Sequence, residues 1–347
     1  MNRKIAIIVL VIILSLSIML ISCSNEKKVL NVYNWGEYID PEIVEMFEEE
    51  TGIEVNYRDY PTNEELYIKL KSGSGDFDVI FPSDYMLEKM VAEDMIAKID
   101  FENIPNYKYI NDRFKGLDYD KNEEYSVPYF WGTLGILYND DKVDEEVDSW
   151  DILWNEKYSK KILILDSQRD SIAMALKRLG YSLNTTNDSE LEEAKQSLIE
   201  QKPLVLAYVV DEVKNMMIQG EADLALTWSG EAIAILDEME SAAYSVPKEG
   251  SNLWFDCIAI TKESSNKKEA EMFINFLSRP DVALQNTEWV GYSTPNQAAY
   301  DMLDDEIKSQ DSYYPSDEVL DNCEVFIDLG EYNNVYGDLW LDVKISN

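Results

Sequence analysis

YSVPYFWGTLGILY, residues 125–138, is rich in apolar and aromatic side chains, carries no charge and has no helical period. Charged stretches bracket it on both sides. Such a run reads as extended chain rather than helix. It is predicted to leave one α/β unit and cross into a second.

On its N-terminal side the chain alternates three times between strand and helix. Val29 to Tyr33 reads as a buried strand, and Asp40-Pro41 offers a helix N-cap with Pro at the first helical position. Gly52 closes that helix, and Ile53 to Tyr57 alternates as a second strand. Asn63 opens a second helix closed by Gly73, Val79 to Phe81 forms a third strand, and Leu87, Met90 and Val91 mark the inner face of a third helix. Repeated strand and helix predict a layered α/β unit with parallel strands.

The C-terminal side repeats the rhythm. Strands are predicted at Ile162 to Leu165, Leu204 to Val209, Leu224 to Trp228 and Trp254 to Ile260. Helices are predicted at Ser171 to Leu179 and Asp211 to Ile218, and around Ala270, Phe273, Ile274 and Leu277, this last one ended by Pro280. The acidic tail from Asp304 gives a weaker pattern.

Composition narrows the function. The 347 residues contain no His, which removes Ser-His-Asp and Cys-His nucleophilic chemistry and every His-ligated metal site. With 68 acidic and 30 basic residues the net charge is −38, which disfavours nucleic acid and anionic membrane as partners and favours a cationic ligand. Surface acids also keep a secreted chain soluble, and composition alone favours that plainer reading.

Met1-Asn2-Arg3-Lys4 followed by the apolar run Ile5 to Ile21 reads as a secretory signal over residues 1–22. Leu20-Ile21-Ser22-Cys23 resembles a bacterial lipobox, which would make Cys23 the acylated first residue of the mature chain. A membrane-spanning anchor is the alternative, but the polar residues directly after Cys23 favour cleavage. Cys257 and Cys323 then remain, too few for a disulfide framework.

Ligands of open α/β sheets lie beyond the carboxyl ends of strands. There this chain places Trp35 and Tyr38 (NWGEYID), Ser83 and Tyr85 (PSDY), Trp228 (TWSGE), Trp254 and Asp256 (LWFDC), and Tyr292 (VGYSTPN). A single Trp at a strand end serves equally well as a cap on the core; several at such loops point to a ligand. Aromatic faces attract ammonium groups by ~0.5 to 2 kcal/mol each, and carboxylates hold them by charge-assisted hydrogen bonds. Trp254 and Asp256, two apart on a strand, share a face. In LDSQRD, Asp166 reads as a helix N-cap and Asp170 as a ligand group.

With these residues in place the chain resembles the spermidine/putrescine-binding proteins of polyamine ABC transporters. NWGEYI, FPSDY, MALKRLGYSLNTT, WSGEA, KEGSNLWFDCIAI, INFLSRPDVA and GYSTPN fall in the family's order over nearly the whole mature length. The resemblance implies a type II periplasmic-binding-protein clamp, α/β, its lobes joined by crossover strands. Lobe 1 would hold 24–135 and 256–305, lobe 2 would hold 136–255 and 306–347. It implies a polyamine site of Trp35, Tyr38, Ser83, Tyr85, Asp170, Trp228, Trp254, Asp256 and Tyr292, with Glu37, Ser167 and Phe326 as possible additions.

The same resemblance implies no catalysis, metal or cofactor, a putrescine or spermidine ligand, permease partners, and an extracytoplasmic chain held by the Cys23 lipid. Two departures bear on ligand choice: Ser167 stands where the family can carry a ligand-binding Asp, and Phe326 where some members have Gln. Read from the residues alone, an oligosaccharide-binding protein or a glycosidase using Asp170 and Asp256 remains as an alternative, as does a structural surface lipoprotein.

Overall fold

The computed structural model describes residues 28–346, so the signal segment 1–22 and Cys23 lie outside the described residues. The chain begins with β1 (Val29–Trp35), α1 (Pro41–Thr51), β2 (Glu54–Tyr60), α2 (Asn63–Lys71), β3 (Val79–Ile80) and α3 (Asp84–Ala92). Asp40 caps α1 by accepting from the Glu42 amide, and Gly52 ends it at φ 70, the left-handed conformation expected of a C-terminal glycine. β1 pairs in parallel with both β2 and β3.

The run quoted at the outset is β4 (Ser126–Asn139), the longest strand, and it belongs to both halves of the molecule. Its first half, from Ser126 to Thr133, pairs antiparallel with β9 (Leu253–Ile260), with a register shift after Pro128, which has no amide to donate. From Leu134 onward it pairs with β7 (Leu224–Trp228), and from Ile136 with β8 (Ala242–Ser245). With β5 (Ile162–Leu165) and β6 (Val205–Val209) the order becomes β2-β1-β3-β9-β4-β7-β5-β6, and β8 sits beside β4.

The remaining helices are α4 (Gln168–Arg178), α5 (Asp188–Gln201), α6 (Glu212–Ile218), α7 (Ser229–Leu236), α8 (Lys267–Leu277), α9 (Pro280–Val290), α10 (Gln297–Met302), α11 (Asp305–Lys308), α12 (Asp317–Asp321) and α13 (Tyr332–Ile345). Pro280 does more than end α8: it is the first residue of α9, where its missing amide costs nothing. The helix expected from Ser171 begins three residues earlier, at Gln168, and Ser167, not Asp166, is its N-cap. Asp166 is drawn away by α13, taking an ion pair with Lys344 at 2.7 Å and the Trp340 indole N–H at 3.2 Å.

Two cores form, on either side of the midpoint of β4. The first gathers Leu30, Val32, Ile43, Phe47, Phe130, Phe255, Ile258 and Phe273. The second gathers Ile136, Trp150, Ile162, Ile164, Leu176, Tyr336 and Trp340, with α13 closing it. Leu137 and Leu163, alternating with residues of that core, point to the opposite sheet face and pack on Val213, Met217 and Ile235. Trp254, Phe255 and Leu320 belong to the first core, so the packing changes sides slightly before residue 255 and returns once near the tail. Trp228 packs against both cores. Cys257 is buried and Cys323 half-buried, and both are free thiols.

Candidate functional site

Asp256 lies in the middle of β9 with 7% of its surface exposed. Its two oxygens are both taken: Ser83 Oγ donates to Oδ1 at 2.6 Å and Tyr38 Oη donates to Oδ2 at 2.7 Å. Ser83 occupies the N-cap position of α3 but does not cap it, its hydroxyl being turned to the carboxylate instead. Asn63 holds Ser83 from behind, accepting its amide at 3.1 Å and donating to its Oγ at 3.0 Å. Burial pushes the Asp256 carboxyl up to about 6, against the lowering effect of the two hydroxyls.

Rings surround this carboxylate. Tyr292 lies 5.3 Å from Tyr38 and 5.5 Å from Trp254, centroid to centroid. The Trp254 indole N–H is buried with no hydrogen-bond partner in the protein. Two glycines make room: a Cβ on Gly230 would overlap the Tyr292 ring, and one on Gly132 would overlap Ser229 and the Trp254 indole. Tyr292 also donates to Glu231 on α7 at 3.3 Å, reaching from the first core to the helix that packs with Val213 and Met217.

Asp170 is the third residue of α4 and 6% exposed. Ser167 Oγ donates to its Oδ2 at 2.6 Å, while Oδ1 is buried without a hydrogen bond. Burial raises its pKa; Ser167, Trp228, the charge of Arg169 and Asn252 pull the other way. Near Asp170, Tyr85 accepts from Asn63 at 3.2 Å and meets Phe326 edge-on at 6.3 Å. Behind them Asp84, fully buried, accepts the amides of Tyr85 at 2.7 Å and Phe255 at 3.1 Å, and burial raises it strongly.

The structure thus brings Tyr38, Ser83, Asp256, Trp254 and Tyr292 into one cluster, and Tyr85, Ser167, Asp170, Trp228 and Phe326 into its neighbour. Trp35 is set back from both, its indole donating to Phe81 O at 2.8 Å and its ring 4.7 Å from Tyr60. Glu37 is exposed in left-handed backbone, φ 49, and makes no hydrogen bond with Tyr38 or Asp256. The sequence reading passed over Asn63, Asp84, Arg169, Gly132 and Gly230. Only the glycines left a trace, as small residues interrupting aromatic runs in FWGTLG and TWSGE.

The model of the family described as bacterial extracellular solute-binding protein matches residues 42–313. The spermidine/putrescine-binding periplasmic protein of Escherichia coli K12 is 38% identical over 323 residues, covering 92% of this chain and 93% of its own. The putrescine-binding periplasmic protein SpuD of Pseudomonas aeruginosa is 34% identical and covers 88% of each chain. Among solved structures, the spermidine/putrescine ABC transporter substrate-binding protein PotD of Streptococcus pneumoniae superposes with a TM-score of 0.84 at 42% identity, over 92% of this chain and 99% of its own. A two-lobed α/β fold with its acidic and aromatic side chains gathered where the two cores meet agrees with these matches, and the chain belongs to the bacterial extracellular solute-binding proteins.

Proposed function

We propose that this chain is the extracytoplasmic substrate-binding component of a polyamine ABC importer, which captures putrescine or spermidine between its lobes and hands it to the permease. One observation carries the reading: Asp256 and Asp170 are buried carboxylates, and among the described residues neither is in an ion pair with a Lys or Arg. A buried charge is costly unless it is paired, so the missing cations come from the ligand. A linear diamine supplies two, joined by methylenes that pack on Trp254, Tyr292, Tyr85 and Trp228.

In this reading Asp256 takes one ammonium and Asp170 the other. Tyr38 and Ser83 orient Asp256, and Ser167 orients Asp170. Trp35 supports the cage from behind, Phe326 closes its end, and Glu37 adds an anion near its mouth. The lobes, divided at the middle of β4 and at β9, close by hinge motion and dry the cage. Micromolar affinity needs ~8 kcal/mol, more than exposed ion pairs of ~0.2 to 1 kcal/mol supply, so closure is part of binding. Cleavage before Cys23 and acylation of its thiol would tether the chain to the membrane, and no reaction is assigned to it.

Isothermal titration of the mature chain with putrescine, spermidine and spermine, alongside Asp256→Asn, tests the reading. One-to-one binding that the variant loses supports it. Binding of an oligosaccharide that survives Asp256→Asn, with no heat from any amine, would send the assignment to a sugar.

A further inference from the structure

The side chain of Arg169, second residue of α4, is 3% exposed and lies where the two cores meet. Its Nη1 donates to Ile327 O at 3.2 Å and its Nη2 to Asn184 Oδ1 at 3.0 Å. Asn184 in turn donates to Val325 O at 2.8 Å and accepts the Ile327 amide at 3.2 Å, so the guanidinium is bracketed by the 325–327 segment and Asn184. Its faces meet aromatic rings: Phe326 at 4.3 Å, Tyr336 at 5.3 Å and Tyr85 at 5.4 Å. Tyr336 belongs to the second core, whereas Tyr85 packs both on the first and on a small cluster of Ala173, Leu183 and Phe326. Among the described residues the Nε is buried without a hydrogen-bond partner and no carboxylate closes an ion pair with the group.

A cation held this way has no structural need of the first lobe, yet a first-lobe ring covers it. We infer that Arg169 is a positioning residue that couples ligand capture to lobe closure: fixed in the second lobe next to Asp170, it gains Tyr85 as a cation–π partner when the cleft shuts. This rests on the polyamine reading above. The charged and titratable groups facing it are Asp84 and Tyr85 on α3, Asp170 on its own helix, and Tyr336 on α13. Glu190 and Glu324 lie beyond Tyr336, and Glu324 is paired with Lys177.

The test uses the mature chain with three variants, Arg169→Met, Arg169→Lys and Tyr85→Leu, and the Met–Leu double variant. Putrescine affinity is titrated between pH 5 and 8, and closure is read by the change in radius of gyration on adding putrescine. Arg169→Met is expected to weaken binding about 10- to 30-fold. It should also move the pH midpoint of binding upward, because removing a nearby cation makes Asp170 easier to protonate. Arg169→Lys keeps the midpoint but loses affinity and part of the closure, since an ammonium lacks the flat faces that stack. The Met and Leu losses should be less than additive.

Arg169→Met that melts earlier but binds and closes like wild type, with the same midpoint, would overturn the coupling and leave a structural arginine. If that variant does not fold, Arg169→Lys and Tyr85→Leu decide: wild-type affinity and closure in both overturns it. A wild-type chain that binds no polyamine overturns this inference together with the reading beneath it, whereas a wild type that binds beside unchanged variants overturns the inference alone.

Discussion

The two buried carboxylates of the cleft are prepared in different ways. Asp256, in a β9 strand of the first core, has a hydroxyl on each oxygen, from Ser83 and Tyr38, and both hydroxyls come from loops after other strands. Asp170, in the first turn of a second-core helix, has one hydroxyl, from its own cap Ser167, and an oxygen left bare. The first is an acceptor locked in place before any ligand arrives. The second keeps an oxygen with acceptor capacity to spare. On the proposed polyamine function, the first would be a finished half-site for one ammonium and the second a half-site completed by the ligand.

The largest expected effect comes from breaking the finished end. Asp256→Asn removes the buried partner of one ammonium and should cost roughly 3 to 5 kcal/mol of binding, at least 100-fold in affinity. The ligand-free protein should move the other way. A carboxyl raised to about 6 from 3.8 destabilises the empty fold at neutral pH, so the variant should melt higher, by up to ~3 kcal/mol of stability. Lower melting together with retained binding would remove Asp256 from the site. Asp170→Asn should cost less, about 2 kcal/mol or 30-fold, because the amide still fills the space and its oxygen still accepts from the ammonium.

How much of this contrast could be read from sequence depends on range. Trp254 and Asp256, two apart in a strand, and the long uncharged run that became β4 are local patterns, and local patterns survive folding. The choice between Asp166 and Ser167 as cap is not local. It is settled by Lys344 and Trp340, which reach Asp166 from α13, more than 170 residues away. Arg169 is illegible for the same reason: its rings come from α3, α13 and residue 326, and nothing beside it in LDSQRD says that it will be buried. Trp35, by contrast, looks in sequence like the other cage residues, and only the structure shows its indole committed to Phe81.

Acidity sharpens the comparison next. Polyamine ammoniums stay charged below neutrality, while Asp256 takes up its proton as pH falls through about 6. Affinity should hold above that point and fall about tenfold per pH unit below it. Titrations in buffers of different ionisation heat should show proton release on binding at pH 5.5 and little at pH 7.5. Tyr38→Phe then asks what locking is worth. It removes one of the two hydroxyls that hold Asp256 down, so affinity at pH 7.5 should fall about fivefold, near 1 kcal/mol, and the pH midpoint should rise. A midpoint that stays put would mean that Ser83 alone sets the carboxylate.

The smallest expected effect lies at the unfinished end. Ser167→Asp keeps a good helix cap, since Asp serves α4 as well as Ser, and it adds a second carboxylate three residues from Asp170 on the same turn. Two acids so close repel each other, and the added one brings no hydroxyl to Asp170, so the empty cleft should be slightly less stable and its pH midpoint higher. A ligand with a third ammonium relieves that repulsion and a diamine does so only in part. Spermidine should therefore gain over putrescine by a few-fold, on the order of 1 kcal/mol, measured as the ratio of the two affinities in one titration series. Equal change for both ligands would place position 167 outside the reach of the third amine, and the bare oxygen of Asp170 would then be the last polar contact at that end of the cleft.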